Sequence, residues 1–216
     1  MDVIFSNKGG QYTNEEIIDA AVAHNVKAIE LLVDRKKLLE LEGLEGDKEL
    51  RYFKTKLPES GLKLHGFCYY TDFNLLEDIM LAKKCVNLLN RLEGKVLRLI
   101  FKTIPGNMVM EKTYTTIETF LNSLARFASY SAGGGKGETV VRIAFDIFTQ
   151  PNFGFNDFLK INRALQDSRN VGIAVDLGNF AKIDEIKKVI KQINGYEFTL
   201  NHVSVNDRLE EKLVKD

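Results

Sequence analysis

The sequence predicts an α/β fold of the TIM-type (β/α) barrel class, incomplete, with seven recognisable β/α units and no clear eighth strand. Three observations carry that expectation. A short apolar segment followed by an amphipathic helical pattern recurs seven times along the 216 residues, and such alternation implies parallel strands joined by helical crossovers. Most of the apolar segments are near-continuous runs, as strands covered by helices are. Two adjacent segments end in aspartate, and in a closed barrel chemistry gathers where the strands end.

Each element has its own local reason. DVIFSN from Asp2 supplies the first strand, and Thr13 with Glu16 forms a T-x-x-E capping box that opens the first helix. Ile17, Ile18, Ala21 and Val22 keep to one face of that helix, and His24 in AAVAHN is expected as a surface cap at its end. AIELLVD from Ala28 is the second strand. The stretch from Arg35 to Ser60 is less regular: Leu38, Leu39, Leu50 and Phe53 suggest two helical pieces, interrupted by Gly43 and Gly46. KLHGFCY from Lys63 precedes a helix striped by Leu75, Ile79, Ala82, Val86 and Leu89. VLRLIF from Val96 precedes one striped by Ile117, Phe120, Leu121, Leu124, Phe127 and Ala128. These stripes are as wide as helices lying on a sheet require. TVVRIAFDI from Thr139 and NVGIAVDLGN from Asn170 follow, then a helix with Ile186, Val189, Ile190 and Ile193, and finally FTLNHVSVND from Phe198. GGGKGE from Gly133 lacks the G-x-x-x-x-G-K-[ST] spacing and precedes a strand where a phosphate loop follows one, so it is expected as a connection remote from the chemistry.

No linker divides the chain, and a single domain over residues 1–216 is expected. Lys+Arg and Asp+Glu are 30 each, so no positive face offers itself to nucleic acid. No apolar run is long enough to cross a membrane and no signal peptide is visible. Cys68 and Cys85 make no disulfide framework, so a reduced, cytoplasmic protein is expected. Without an eighth strand, strands one and seven would be edges, which soluble proteins cover or pair. The segment from Arg208 or a second copy of the chain is expected to protect them, which makes a homodimer an expectation.

Side-chain direction locates the candidate site. On strand five Arg142, Ala144 and Asp146 alternate with Val141, Ile143, Phe145 and Ile147; on strand six Gly172, Ala174 and Asp176 alternate with Val171, Ile173, Val175 and Leu177. The bulky set suits the helix-facing side, so both aspartates should face the barrel axis. Carboxylates close together call for a compensating cation, either a divalent metal or a nearby Lys or Arg; capping of the next helix is the alternative for each. His202, Ser204 and Asn206 share one face of strand seven, which Asp207 ends. His202 is a candidate metal ligand, although a lone His on a strand is more often a hydrogen-bonded core residue. His65 and Lys102 stand where they could meet a substrate hydroxyl or phosphate. Glu30, an acid amid apolar residues, is costly to bury unless paired, and both a site role and a structural ion pair are open.

These segments resemble the xylose isomerase-like TIM-barrel superfamily, which includes sugar phosphate isomerases and epimerases and the endonuclease IV barrels. KAIELL resembles that family's second strand, ending in Glu; VRIAFD is similar to the strand that carries a metal-binding Glu; VGIAVDLGN resembles the strand-six signature, with Asp176 at the metal-binding Asp and Asn179 where many members have His; SVND is similar to His-Val-Lys-Asp. The resemblance implies a carbohydrate substrate and a divalent metal (Mn, Mg or Zn) held by Asp176, Asp146 and His202. It implies proton transfer next to a carbonyl, with Asp146 as ligand or base and Glu30, His65, Asn179, Ser204, Asn206 and Asp207 around the substrate; a metal-independent lyase or isomerase with Lys102 or Asp146 as base is a further reading. The departures are Asp146 in place of Glu, Ser204 where a ligand His is usual, Asn206 in place of Lys, and no strand-eight Glu. A trinuclear zinc site needs many histidines, and this chain has three. A barrel that has lost metal catalysis and binds a polyol, sugar phosphate or protein is the alternative implied.

Overall fold

The computed structural model describes residues 4–6, 13–33, 35–40, 44–71, 75–101, 110–131, 140–146, 155–166, 169–176 and 200–204, together with Asp184, Lys187, Lys188 and Lys191. At some of these, including 175, 176 and 200–204, it describes the backbone alone. The elements follow in the order β1 (Ile4–Ser6), α1 (Asn14–Ala23), β2 (Ala28–Val33), α2 (Arg35–Glu40), α3 (Leu44–Glu59), β3 (Lys63–Thr71), α4 (Leu75–Leu92), β4 (Val96–Phe101), α5 (Met110–Ser131), β5 (Arg142–Asp146), α6 (Phe155–Ala164), β6 (Val171–Asp176) and β7 (Leu200–Ser204). The seven strands form one parallel sheet in sequential order, β1 to β7. This is the connectivity of a barrel in which every crossover returns to the neighbouring strand.

The local signals act as expected at the first helix. Thr13 Oγ1 accepts from the Glu16 N–H while the Glu16 carboxylate accepts from the Thr13 N–H, closing the capping box. His24 is the C-cap. Beyond it Asn25 takes φ 53°, the Asn25 N–H donates to the Val22 carbonyl and the Val26 N–H to the Ala21 carbonyl, a Schellman turn that aims the chain into β2. The same pattern ends α3 at Gly61 (φ 67°) and α4 at Glu93 (φ 60°), each time just before a strand. Gly46 does not interrupt the second helical piece as its sequence suggests; it lies inside α3. The roughly 1 kcal/mol that glycine costs in a helix is outweighed by burial of Leu50, Phe53 and Leu57 on that helix. The helical stripe expected around Ile186 falls outside the described residues.

The core has two parts, one on each side of the sheet. The large cluster lies between sheet and helices and takes Ile29, Leu31 and Val33 from β2, Leu97 and Leu99 from β4, Ile143 and Phe145 from β5, and Val171 and Ile173 from β6. A small cluster of Val96, Ala144 and Ala174 lies on the opposite face. Over the described side chains of β5 and β6 the inferred alternation is seen: Ile143, Phe145, Val171 and Ile173 pack under the helices, and Ala144 and Ala174 lie on the other face.

Candidate functional site

Three charged side chains stand on the inner face with no solvent exposure at all: Glu30 of β2, Arg98 of β4 and Asp146 of β5, each 0% exposed. Strand register explains how they meet. Glu30 is level with Gly66 and Val96; Cys68, Arg98 and Ala144 form the next inward rung; Ile100, Asp146 and Ala174 form the one above. Arg98 thus sits one inward rung above Glu30 and one below Asp146, and rungs on one face are about 6.6 Å apart. A guanidinium on its long stem reaches both. Arg98 Nη2 donates to Asp146 Oδ2 at 2.6 Å, and Nη1 lies 3.8 Å from Glu30 Oε2. Ser6 of β1 donates from Oγ to the same Glu30 oxygen at 2.6 Å. One buried network therefore ties β1, β2, β4 and β5 together across the interior.

Burial by itself pushes a guanidinium toward neutrality, yet the pull of Glu30 and Asp146 overrides it and holds Arg98 above its ordinary value. The cluster stays ionic because each charge faces its opposite. Gly66 is the other requirement: a Cβ there would stand 2.0 Å from the Val96 carbonyl oxygen, so only glycine lets β3 and β4 approach at this rung.

The structure gathers some of the expected site residues and separates others. Asp146 is the last residue of β5 and faces inward, as expected, but it is closed in beneath the surface and turned to Arg98. Glu30 joins it through the arginine, which realises the ion-pair alternative. The backbone places Asp176 at the end of β6, level with Ser204 and one inward rung beyond Asp146, while His202 is level with Ala174 and so with Asp146; the side chains of Asp176, His202 and Ser204 lie outside the described atoms. Lys102, Asn179, Asn206 and Asp207 lie outside the described residues. His65 does not join the strand ends. It is the extra residue where the β2–β3 register shifts, six positions before Thr71 ends β3, and its carbonyl accepts from the Lys95 N–H at 2.8 Å. At ~3.3 Å per residue that is about 20 Å below the carboxyl end. Arg98, Ser6 and Cys68 complete the interior and were not singled out as site residues in the sequence. VLRLIF did carry a signal, since an arginine amid apolar strand residues must find a partner, by the same logic that marks Glu30.

Asp146 does not fit a divalent metal. Its Oδ2 already holds a guanidinium at 2.6 Å. An ion on either of its oxygens would stand within about 7 Å of that positive charge, a repulsion of roughly 5 kcal/mol at an effective dielectric of about 20. Among the described residues no group of three or more His, Cys, Asp or Glu gathers that could hold a metal ion. Nor, among them, is any helix long and apolar enough to cross a membrane.

Comparison with known proteins agrees with this architecture. The family model described as xylose isomerase-like TIM barrel matches residues 18–214. Among solved structures, D-psicose 3-epimerase with D-tagatose from Clostridium cellulolyticum H10 superposes with a TM-score of 0.72 at 11% identity, covering 94% of this chain and 72% of that one. The 3-keto-D-glucoside 4-epimerase YcjR from E. coli gives 0.69 at 13% identity, with 96% and 80% covered. The IOLI protein with a binding zinc atom gives 0.63 at 18% identity, with 87% and 68% covered. At these identities the likeness is one of fold. No curated protein sequence matches the chain.

Proposed function

The chain belongs to the xylose isomerase-like TIM-barrel family, and from that premise we propose that it acts on a sugar or sugar phosphate as an isomerase- or epimerase-like protein. The observation that carries this reading is the pair of neighbouring acid-ended strands, β5 closing with Asp146 and β6 with Asp176, offset by one inward rung at the end of the sheet where such barrels place their chemistry. The reaction is removal of a proton from the carbon next to a carbonyl, giving an enediolate. The proton then returns to the neighbouring carbon for isomerisation, or to the other face of the same carbon for epimerisation. Asp146 is engaged by Arg98 and fully buried, so in this proposal it forms the floor of the site. The proton-transferring group is then Asp176, the last residue of β6, or Lys102, next in the chain after β4. Asn179, Ser204, Asn206 and Asp207 would meet sugar hydroxyls. No step is routed through a metal, because Asp146 does not fit one.

The engagement of Asp146 also favours a second reading, a barrel that binds a polyol or sugar phosphate without turning it over. A panel of ketoses, aldoses and their phosphates separates the two by proton NMR in D₂O and thermal shift. Deuterium incorporation at the carbon next to the carbonyl, lost in Asp176→Asn or Lys102→Met, supports catalysis. Thermal stabilisation without exchange selects the binding reading, and neither response across the panel overturns both. A homodimer through the β1 and β7 edges belongs to the same proposal, and a monomeric mass by light scattering would remove it.

A further inference from the structure

We propose that the Arg98 guanidinium is the resident cation of the barrel interior, holding Glu30 and Asp146 together so that the polar floor is ordered without a divalent ion. Three facts support it. Arg98 lies between the two carboxylates, at 2.6 Å from Asp146 and 3.8 Å from Glu30. All three residues are 0% exposed, so the charges answer one another and not solvent. The network spans four strands, since Ser6 of β1 donates to Glu30. Two buried carboxylates approaching one interior space require positive charge. A metal supplies it as a detachable part, whereas an arginine supplies it as part of the chain, planar and with several fixed donors. Arg98 is on this account a positioning residue: it sets the floor beneath Asp176 and touches no substrate. The inference deepens the functional reading only in saying that ligand binding at the mouth needs no metal; the state of the interior can be tested whether or not a sugar binds.

The test uses the purified full chain and reads metal content by mass spectrometry and thermal midpoint with EDTA or Mn²⁺. Wild type is expected to carry substoichiometric metal and to keep its midpoint within about 1 °C in either additive. Arg98→Met keeps the bulk and removes the charge. It is expected to melt well below wild type and to recover by about 4 °C or more with Mn²⁺, as the two carboxylates accept a replacement cation. The uncharged triple variant Glu30→Gln/Arg98→Met/Asp146→Asn separates charge from shape: it is expected to regain stability over Arg98→Met and to ignore Mn²⁺. Stoichiometric metal in wild type, or a midpoint that falls in EDTA and is restored by Mn²⁺, would overturn the proposal. So would an Arg98→Met protein as stable as wild type, one indifferent to Mn²⁺, or a triple variant no more stable than the single. Should Arg98→Met fail to accumulate folded, the wild-type and triple-variant measurements still decide. Failure of every sugar to bind would strike the functional reading and leave this one standing.

Discussion

Replacing Asp146 by Asn tests the interior network at its shortest contact. The substitution keeps the shape and one acceptor oxygen but removes the charge opposite Arg98, leaving the guanidinium with Glu30 at 3.8 Å. Both partners are 0% exposed, so solvent screening does not reduce the loss. Removing one partner of a buried pair costs about 3–5 kcal/mol. Because Asn retains a neutral hydrogen bond, about 3 kcal/mol is expected. That is a large share of the roughly 5–15 kcal/mol that holds a domain folded. With a urea slope of about 2.5 kcal/mol per molar, the unfolding midpoint should fall by about 1.2 M. Circular dichroism across a urea series measures it, and a cycle with Arg98→Met isolates the pair: the double variant should be less destabilised than the sum of the singles by about 2 kcal/mol or more. A midpoint loss under about 0.4 M, or strict additivity in the cycle, would refute the view that the 2.6 Å contact organises the interior.

Three further outcomes follow from other parts of the fold. Gly66→Ala forces a methyl to 2.0 Å from the Val96 carbonyl oxygen; overpacking of this kind costs about 3 kcal/mol or more, read as a lowered thermal midpoint, and a neutral result would mean that β3 and β4 are farther apart at this rung. Tyr114 donates to Asp157, and that bond pushes its phenol up to about 12. The raised value means that the bond's contribution is fully present below the free phenol's pH 10.0 and is lost as pH rises toward about 12; ultraviolet difference titration should show late-ionising absorbance near pH 12 that diminishes by one tyrosine in Tyr114→Phe. Both thiols are fully buried and burial pushes Cys85 well up, so Ellman's reagent should find no reactive cysteine in the native protein and two after denaturation. Prompt reaction of either thiol in native buffer would contradict the packing around α4 and β3.

The parts of this molecule that were legible in its sequence are those set by local periodicity. The capping box at Thr13 and Glu16 and the His24 cap depend on neighbours three or four residues apart, and each formed as expected. The inward direction of Ala144 and Asp146 followed from the two-residue period of a strand and the bulk of Ile143 and Phe145. What local pattern could not supply was register. The level of Glu30 against β3 and β4, and so its reach to Arg98, depends on a shift between β2 and β3 that no residue spacing within either strand encodes; His65 sits low because β3 runs on to Thr71, past the Tyr69 where its apolar run reads as ending.

The arginine shows the limit most clearly, because its role depends on residues 48 and 68 positions away from it in sequence, beyond the reach of any helical or strand period. In VLRLIF alone, Arg98 could have been a surface residue on an edge strand; the neighbours Leu97 and Leu99 fix only its face. Once β4 is placed between β3 and β5, that face is the interior, and an arginine there must find carboxylates or remain unfolded in water. Glu30 and Asp146 are the acids on the rungs just below and above it, so the three residues require one another, although each taken singly is an unfavourable choice for a buried strand. The same requirement bears on function. A carboxylate that balances Arg98 is held by the guanidinium, which is why the functional proposal gives the proton transfer to Asp176, one rung up, or to Lys102 and not to Asp146.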